Sequence, residues 1–159
     1  MQVLISDANV LIDMDAGGLL ELMFHLPFEF QVADMLFTDE LAEHHPELLS
    51  LGLKLAELDG PHITLAFDLI NRYADPSRYD CFSLALAKQK SCPLLTGDKA
   101  LRTAAAKEGV LVKGTIWLVN QLVINGILTK AEALEAYAAM RGAGSRLPWD
   151  VANSMLEEL

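Results

Sequence analysis

Four acidic residues, Asp7, Glu40, Asp80 and Asp98, stand where an apolar run gives way to a turn or to the opening of a helix. Asp7 interrupts LISDANVLI, Glu40 follows FEFQVADMLFT, Asp80 leads into CFSLALAKQK, and Asp98 follows Pro93-Leu94-Leu95-Thr96. Singly, each is explained by capping, because Asp accepts an orphan backbone N–H at a helix start and acidic residues suit the first turn. Together they imply more. In an open α/β sheet the carboxyl ends of the strands meet helix N-termini along one rim, so all four side chains would face one crevice. Two unit charges about 4 Å apart repel by roughly 4 kcal/mol at an effective dielectric near 20, so converging carboxylates need a cation or raised pKa values. Mg2+ and Mn2+ prefer hard oxygen ligands and leave room for water and phosphate. One or two such ions orient a water, lower its pKa and stabilise the charge that develops as a phosphodiester breaks.

The elements that must position these groups follow from the apolar pattern. Short apolar runs alternate with longer helix-period segments, as in a parallel sheet covered by helices. Strands are expected over residues 3–6, 28–38, 63–67, 93–96 and 110–112. Helices are expected from Asn9 toward Glu21 and Phe24, from Glu40 to Leu58, bent or broken around Pro46 and stopped at Asp59-Gly60-Pro61, and over residues 79–90, 99–108 and 115–124. Thr129-Lys-Ala-Glu132 forms a capping box for a further helix, Gly142-Ala-Gly144 breaks it, and Pro148 is placed as the first residue of a terminal one.

At 159 residues the chain is read as one domain. Its hydrophobic residues, 52% of the total, never gather into a membrane-spanning run, and MQVLISD has no basic leader or cleavage site, so a cytoplasmic protein without a membrane partner is expected. Cys81 and Cys92 have no C-x-x-C spacing and read as reduced core thiols. His44-His45, placed on a helix surface, read as solvated or packing side chains, and Trp117 and Trp149 as packing residues. The net charge of −10 argues against nucleic acid, but residues 1–60 hold twelve acidic residues and only Lys54 as a base. Lys88, Lys90, Lys99, Arg102, Lys107 and Lys113 make the later stretch locally basic, with Lys99 and Arg102 near Asp98 as candidate phosphate-binding residues.

These fragments resemble the PIN-domain nucleases. Asp7-Ala8-Asn9-Val10-Leu11-Ile12 resembles their D-x-N-x-L-I opening, Asp39-Glu40-Leu41 the E-L of the second element, Asp80 the D-x-x-x-L-A helix, and Leu95-Thr96-Gly97-Asp98-Lys99 through Arg102 the T-x-D-x-x-L-R segment. The resemblance implies a PIN-like three-layer α/β/α sandwich with a central parallel sheet over residues 1–125, and a helical extension over 126–159 packed on the same domain. It further implies Mg2+ or Mn2+ bound by Asp7, Glu40, Asp80 and Asp98, with Asn9 and Thr96 as supporting polar groups. Asp39 and Glu43 remain alternatives to Glu40. The implied substrate is RNA, and the implied partner a small antitoxin of a bacterial type II toxin–antitoxin pair. The C-terminal helices are read as core cover, a homodimer or antitoxin surface being the alternative. Two other functions stay open: a PIN-like regulatory module with an acidic binding face, and a metal-dependent phosphatase, against which Asn9 at the second acidic position counts.

Overall fold

The apolar run after Met1 forms the central strand. The computed structural model describes residues 1–159, and in it β1 (Gln2–Ser6) is flanked on both sides, with Leu4 and Ile5 sealed from solvent. Parallel strands buried on both faces read as unbroken apolar runs, as here. After α1 (Ala8–Ala16) and α2 (Leu20–Met23), β2 (Phe28–Ala33) pairs with β1, Leu4 lying opposite Phe30. Then come α3 (Asp34–Leu36), a π-helical turn (Phe37–Leu41), α4 (Leu48–Leu51) and β3 (Lys54–Ala56), which extends the sheet beyond β2. Two long helices, α5 (Gly60–Arg72) and α6 (Arg78–Lys90), carry the chain across to β4 (Leu94–Leu95), where Ser6 lies opposite Leu95. Helix α7 (Lys99–Lys107) and β5 (Val112–Lys113) follow, then α8 (Thr115–Ile124), α9 (Lys130–Gly142) and α10 (Trp149–Glu157).

The result is an all-parallel five-stranded sheet of order β3-β2-β1-β4-β5. Right-handed crossovers place α1 and α2 on one face and α5 to α7 on the other. Helix α6 lies against β1, β2 and β4, whereas α8, α9 and α10 pack with α1 and one another. This is the expected three-layer sandwich. The winding reverses between β1 and β4, which is where a sheet of this kind opens a crevice at its carboxyl rim. One apolar cluster runs from Leu4 to Leu156 in α10. At the end of α1, a Cβ on Gly17 would stand 2.7 Å from Met140 Cε and 3.3 Å from the Ala136 carbonyl oxygen, so α1 and α9 pack closely here and a larger residue would require Met140 to move. No helix is long and apolar enough to cross a membrane.

Several local expectations are corrected. The first helix breaks at Gly17-Gly18, Gly18 adopting φ +70, and α2 is separate. Strand β2 stops at Ala33, because Asp34 turns the chain and Leu36, Phe37 and Leu41 bury with helical spacing. The segment expected to continue as one helix to Leu58 instead ends α4 at Gly52, φ +129, and then forms edge strand β3, with Lys54 reaching Glu29 across the pair at 2.9 Å. His44 lies in a turn, not on a helix. Asp59-Gly60-Pro61 starts a helix: Asp59 caps α5 through the His62 N–H, and the expected strand 63–67 lies inside it, with Ala66 and Leu69 buried. Pro148 caps α10 from outside its first turn.

Candidate functional site

Asp7 is held from three sides where β1 ends. Its backbone N–H donates to the Leu95 carbonyl at 2.9 Å, its Oδ1 accepts the Val10 N–H at 2.9 Å as the N-cap of α1, and its Oδ2 accepts the Thr96 hydroxyl at 2.6 Å. The side chain is almost wholly buried, at 3% exposure. Burial outweighs both hydrogen bonds and, with smaller contributions from the charges of Asp80 and Asp13, pushes the Asp7 pKa up to about 6.

Neighbouring strand ends and helix starts bring the other carboxylates to the same rim. Asp80 sits in the first turn of α6, where its N–H donates to Ser77 Oγ at 3.1 Å and its Oδ2 accepts the Ser77 N–H at 3.0 Å. Partial burial raises its pKa, and the charge of Asp98 adds to the rise. Asp98 caps α7 by accepting the Leu101 N–H at 2.9 Å on Oδ2, while its own N–H donates to Thr96 Oγ1 at 3.1 Å. The Thr96 hydroxyl thus ties Asp7 to Asp98 across the switch point. Glu40 lies in the π-helical turn, its pKa raised by partial burial and then by Asp80 and Asp39. Of the two alternatives to Glu40, Asp39 accepts the Tyr79 hydroxyl and Glu43 lies exposed beside His44, whereas the charge of Glu40 is felt together with that of Asp80.

Capping therefore contributes to the position of each aspartate. Each aspartate commits one oxygen to a helix start, which fixes its rotamer, and Oδ1 of Asp80 and of Asp98 accepts nothing from the chain. None of Asp7, Glu40, Asp80 or Asp98 pairs with Lys, Arg or His, so their charges have no cation of the chain against them. Hard oxygen donors short of positive charge suit Mg2+ or Mn2+. No three acidic, His or Cys side chains draw into one ligand cluster.

The supporting groups divide. Thr96 is buried between two of the aspartates, while Asn9 is exposed on α1 and its side chain bonds nothing in the chain. Lys99 and Arg102 are exposed and unpaired and share a shallow depression on α7, while Lys99 also lines the cleft that contains Asp98 and Arg102 a groove that contains Thr96. Sequence reading missed Ser77, although S-x-x-D before an apolar helix is a capping-box signature. It also missed Asp13, whose Oδ2 accepts the Thr115 hydroxyl at 3.1 Å and whose Oδ1 accepts that of Ser145 at 2.8 Å. No sequence pattern links those three distant positions.

Thr96→Val removes the hydroxyl that lowers the Asp7 pKa and leaves the Asp98 N–H without its acceptor. We expect the Asp7 carboxyl to titrate above its wild-type midpoint and unfolding stability to fall by about 1–3 kcal/mol. Carbon-13 NMR titration and urea unfolding measure both, and an unmoved midpoint would show that Thr96 does not tune Asp7.

No curated protein matches the chain. Among solved structures it is similar to a PilT N-terminus domain protein from the archaeon Sulfolobus solfataricus P2, with 13% identity, a TM-score of 0.53, and 77% of this chain and 94% of that chain covered. That likeness is one of fold. The family model of DUF3368, a PIN domain, matches residues 3–159, from β1 through the C-terminal helices, and the chain therefore belongs to this PIN-domain family.

Proposed function

We propose that the chain is a metal-dependent ribonuclease that hydrolyses RNA phosphodiester bonds, and that it is the toxin of a toxin–antitoxin pair restrained by a small antitoxin. One observation carries the reading: the charge of Asp80 is felt at Asp7 and at Glu40, and that of Asp98 at Asp80, with no cation of the chain paired to any of them. PIN domains are generally nucleases and typically use divalent metals. Asp7, Asp80 and Asp98 would hold Mg2+ or Mn2+, with Glu40 as a further ligand or water-orienting group. Bound there, the ion supplies a water of lowered pKa and neutralises charge developing on the phosphate.

The chain's own part is orientation. Asp7 and Asp98 are fixed by their caps and by Thr96, so their direction is set before any substrate arrives. Glu40, with its raised pKa, is suited to take a proton from water on its carboxylate oxygen. Lys99, unpaired beside Asp98, and Arg102 would draw phosphate toward the carboxylates. The acidic first third, with twelve carboxylates against Lys54 in residues 1–60, favours a basic antitoxin.

The test is incubation of end-labelled single-stranded RNA with the purified chain. Shorter products should accumulate with Mn2+ or Mg2+ and vanish with EDTA. Expression of the wild type, and not of Asp98→Asn, should arrest growth of a bacterial host. RNA left intact with either ion would favour a regulatory PIN-like module instead.

A further inference from the structure

An open groove of about 450 Å³ between β5 and α10 has in its lining Thr96, the residue that bonds both Asp7 and Asp98. Arg102, Lys113 and Arg146 line it, and no acidic residue does, in a chain with 22 acidic residues and a net charge of −10. None of the three is spent on an ion pair. Of the nine other cations, Arg72 lies 2.7 Å and Lys88 2.9 Å from Glu108 and Lys54 lies 2.9 Å from Glu29, while the remaining six also have no ion pair. Lys113 Nζ stands 5.6 Å from the centroid of the Trp117 ring, which with Leu147 adds apolar surface to the same groove.

The far wall is built by the segment between α9 and α10. Gly144 turns at φ +97, the Ser145 N–H donates to the Met140 carbonyl at 3.0 Å, and the Ser145 hydroxyl donates to Asp13 Oδ1 at 2.8 Å. Asp13 also accepts the Thr115 hydroxyl from the start of α8 at 3.1 Å. The next residue, Arg146, is thereby presented to the groove from a fixed backbone. Three cations lining one groove that holds no carboxylate give it a positive potential within an acidic protein, which suits a polyanion.

We propose that this groove is the track of the RNA strand beyond the cleavage site, with Arg102, Lys113 and Arg146 on its backbone phosphates and Trp117 and Leu147 against a base. The inference rests on the ribonuclease reading and assigns the C-terminal extension a part in substrate binding. A nucleic acid strand is favoured over an acidic protein because the groove is continuous with Thr96 and hence with the carboxylates that would cut it.

Binding and cutting separate the two claims. Binding of a labelled single-stranded RNA 12-mer is measured by anisotropy in an Asp98→Asn background, in which RNA persists. Lys113→Ala with Arg146→Ala should weaken binding about tenfold and reduce the salt slope by about 1.4, the loss expected for two phosphate contacts on a single strand. The Lys113→Arg with Arg146→Lys variant should restore both. A charge-matched control, Lys54→Ala with Lys130→Ala, should stay within about twofold of the parent. Circular dichroism verifies that each variant is folded. Unchanged affinity and salt slope in the alanine pair would overturn the groove, as would equal losses in the control. So would capture of poly-glutamate with no binding of RNA. Failure of the wild type to cut RNA counts against the ribonuclease reading alone, because the anisotropy still reports whether the groove holds the strand.

Discussion

Asp7→Asn is expected to lower RNA cleavage by about a thousandfold or more, while making the metal-free protein harder to unfold. The first effect follows from losing a charged oxygen ligand and with it the stabilisation of a phosphodiester transition state. The second follows from burial. A carboxyl whose pKa rises from 3.8 to about 6 on folding penalises the folded state by about 3 kcal/mol once it is fully ionised. Asn caps a helix about as well as Asp, so the Val10 contact survives, but a single carbonyl oxygen cannot serve both Val10 and Thr96. After that loss we expect a net gain of about 1–2 kcal/mol near pH 8, or roughly 2–8 °C in melting temperature for a chain of this size. A cleavage assay and a thermal melt on the same preparation check both signs. Full activity in Asp7→Asn would remove Asp7 from the chemistry, and a lower melting temperature would show that its charge is already compensated within the protein.

The second large effect is the pH dependence of stability and its reversal by ions. The folded pKa of Asp7 lies above the unfolded one, so protonated Asp7 favours the fold. Its contribution is present in full below about pH 4 and is lost as the pH rises through about 6. Glu40 and Asp80 are raised and act with the same sign, whereas Glu29, Asp59, Glu108 and Glu132 are held low by their partners and act oppositely. The Asp7 contribution is therefore read as the difference between wild type and Asp7→Asn. That difference should turn against the wild type by about 3 kcal/mol at most between pH 4 and 8 in EDTA. Millimolar Mn2+ should recover it, because an ion that binds only the folded state stabilises by mass action. Urea unfolding at several pH values, with and without Mn2+, supplies the curves, and a difference that Mn2+ leaves untouched would mean that no ion reaches Asp7.

How legible the site was depended on how local its causes were. Asp7, Asp80 and Asp98 were readable because an apolar run, a turn and a helix start are all encoded within a few residues; Asp7 and Asp98 cap their helices, and Asp80 completes the capping box of α6 with Ser77. Capping by itself explains an acidic residue at such a position. One oxygen caps while the other stays available at Asp80 and Asp98, so capping and function are compatible. Edge strand β3 was illegible because Lys54-Leu55-Ala56 has no helix-excluding residue, and its extended form comes from pairing with β2. The same holds for residues 63–67, where Ile63 and Phe67 suggested a strand and only packing through Ala66 and Leu69 shows a helix. The tie between Asp13, Thr115 and Ser145 spans most of the chain and exists only after folding.

The central claim is that carboxylates from separate elements share a hard cation at the rim between β1 and β4. Calorimetric titration of Mn2+ into the wild type, Asp7→Asn, Asp80→Asn and Asp98→Asn addresses it most directly. The wild type should take up the ion at millimolar concentration or below, and each variant should bind it more weakly by about tenfold or more. An absence of uptake by the wild type, or the same affinity in all four proteins, would contradict the account.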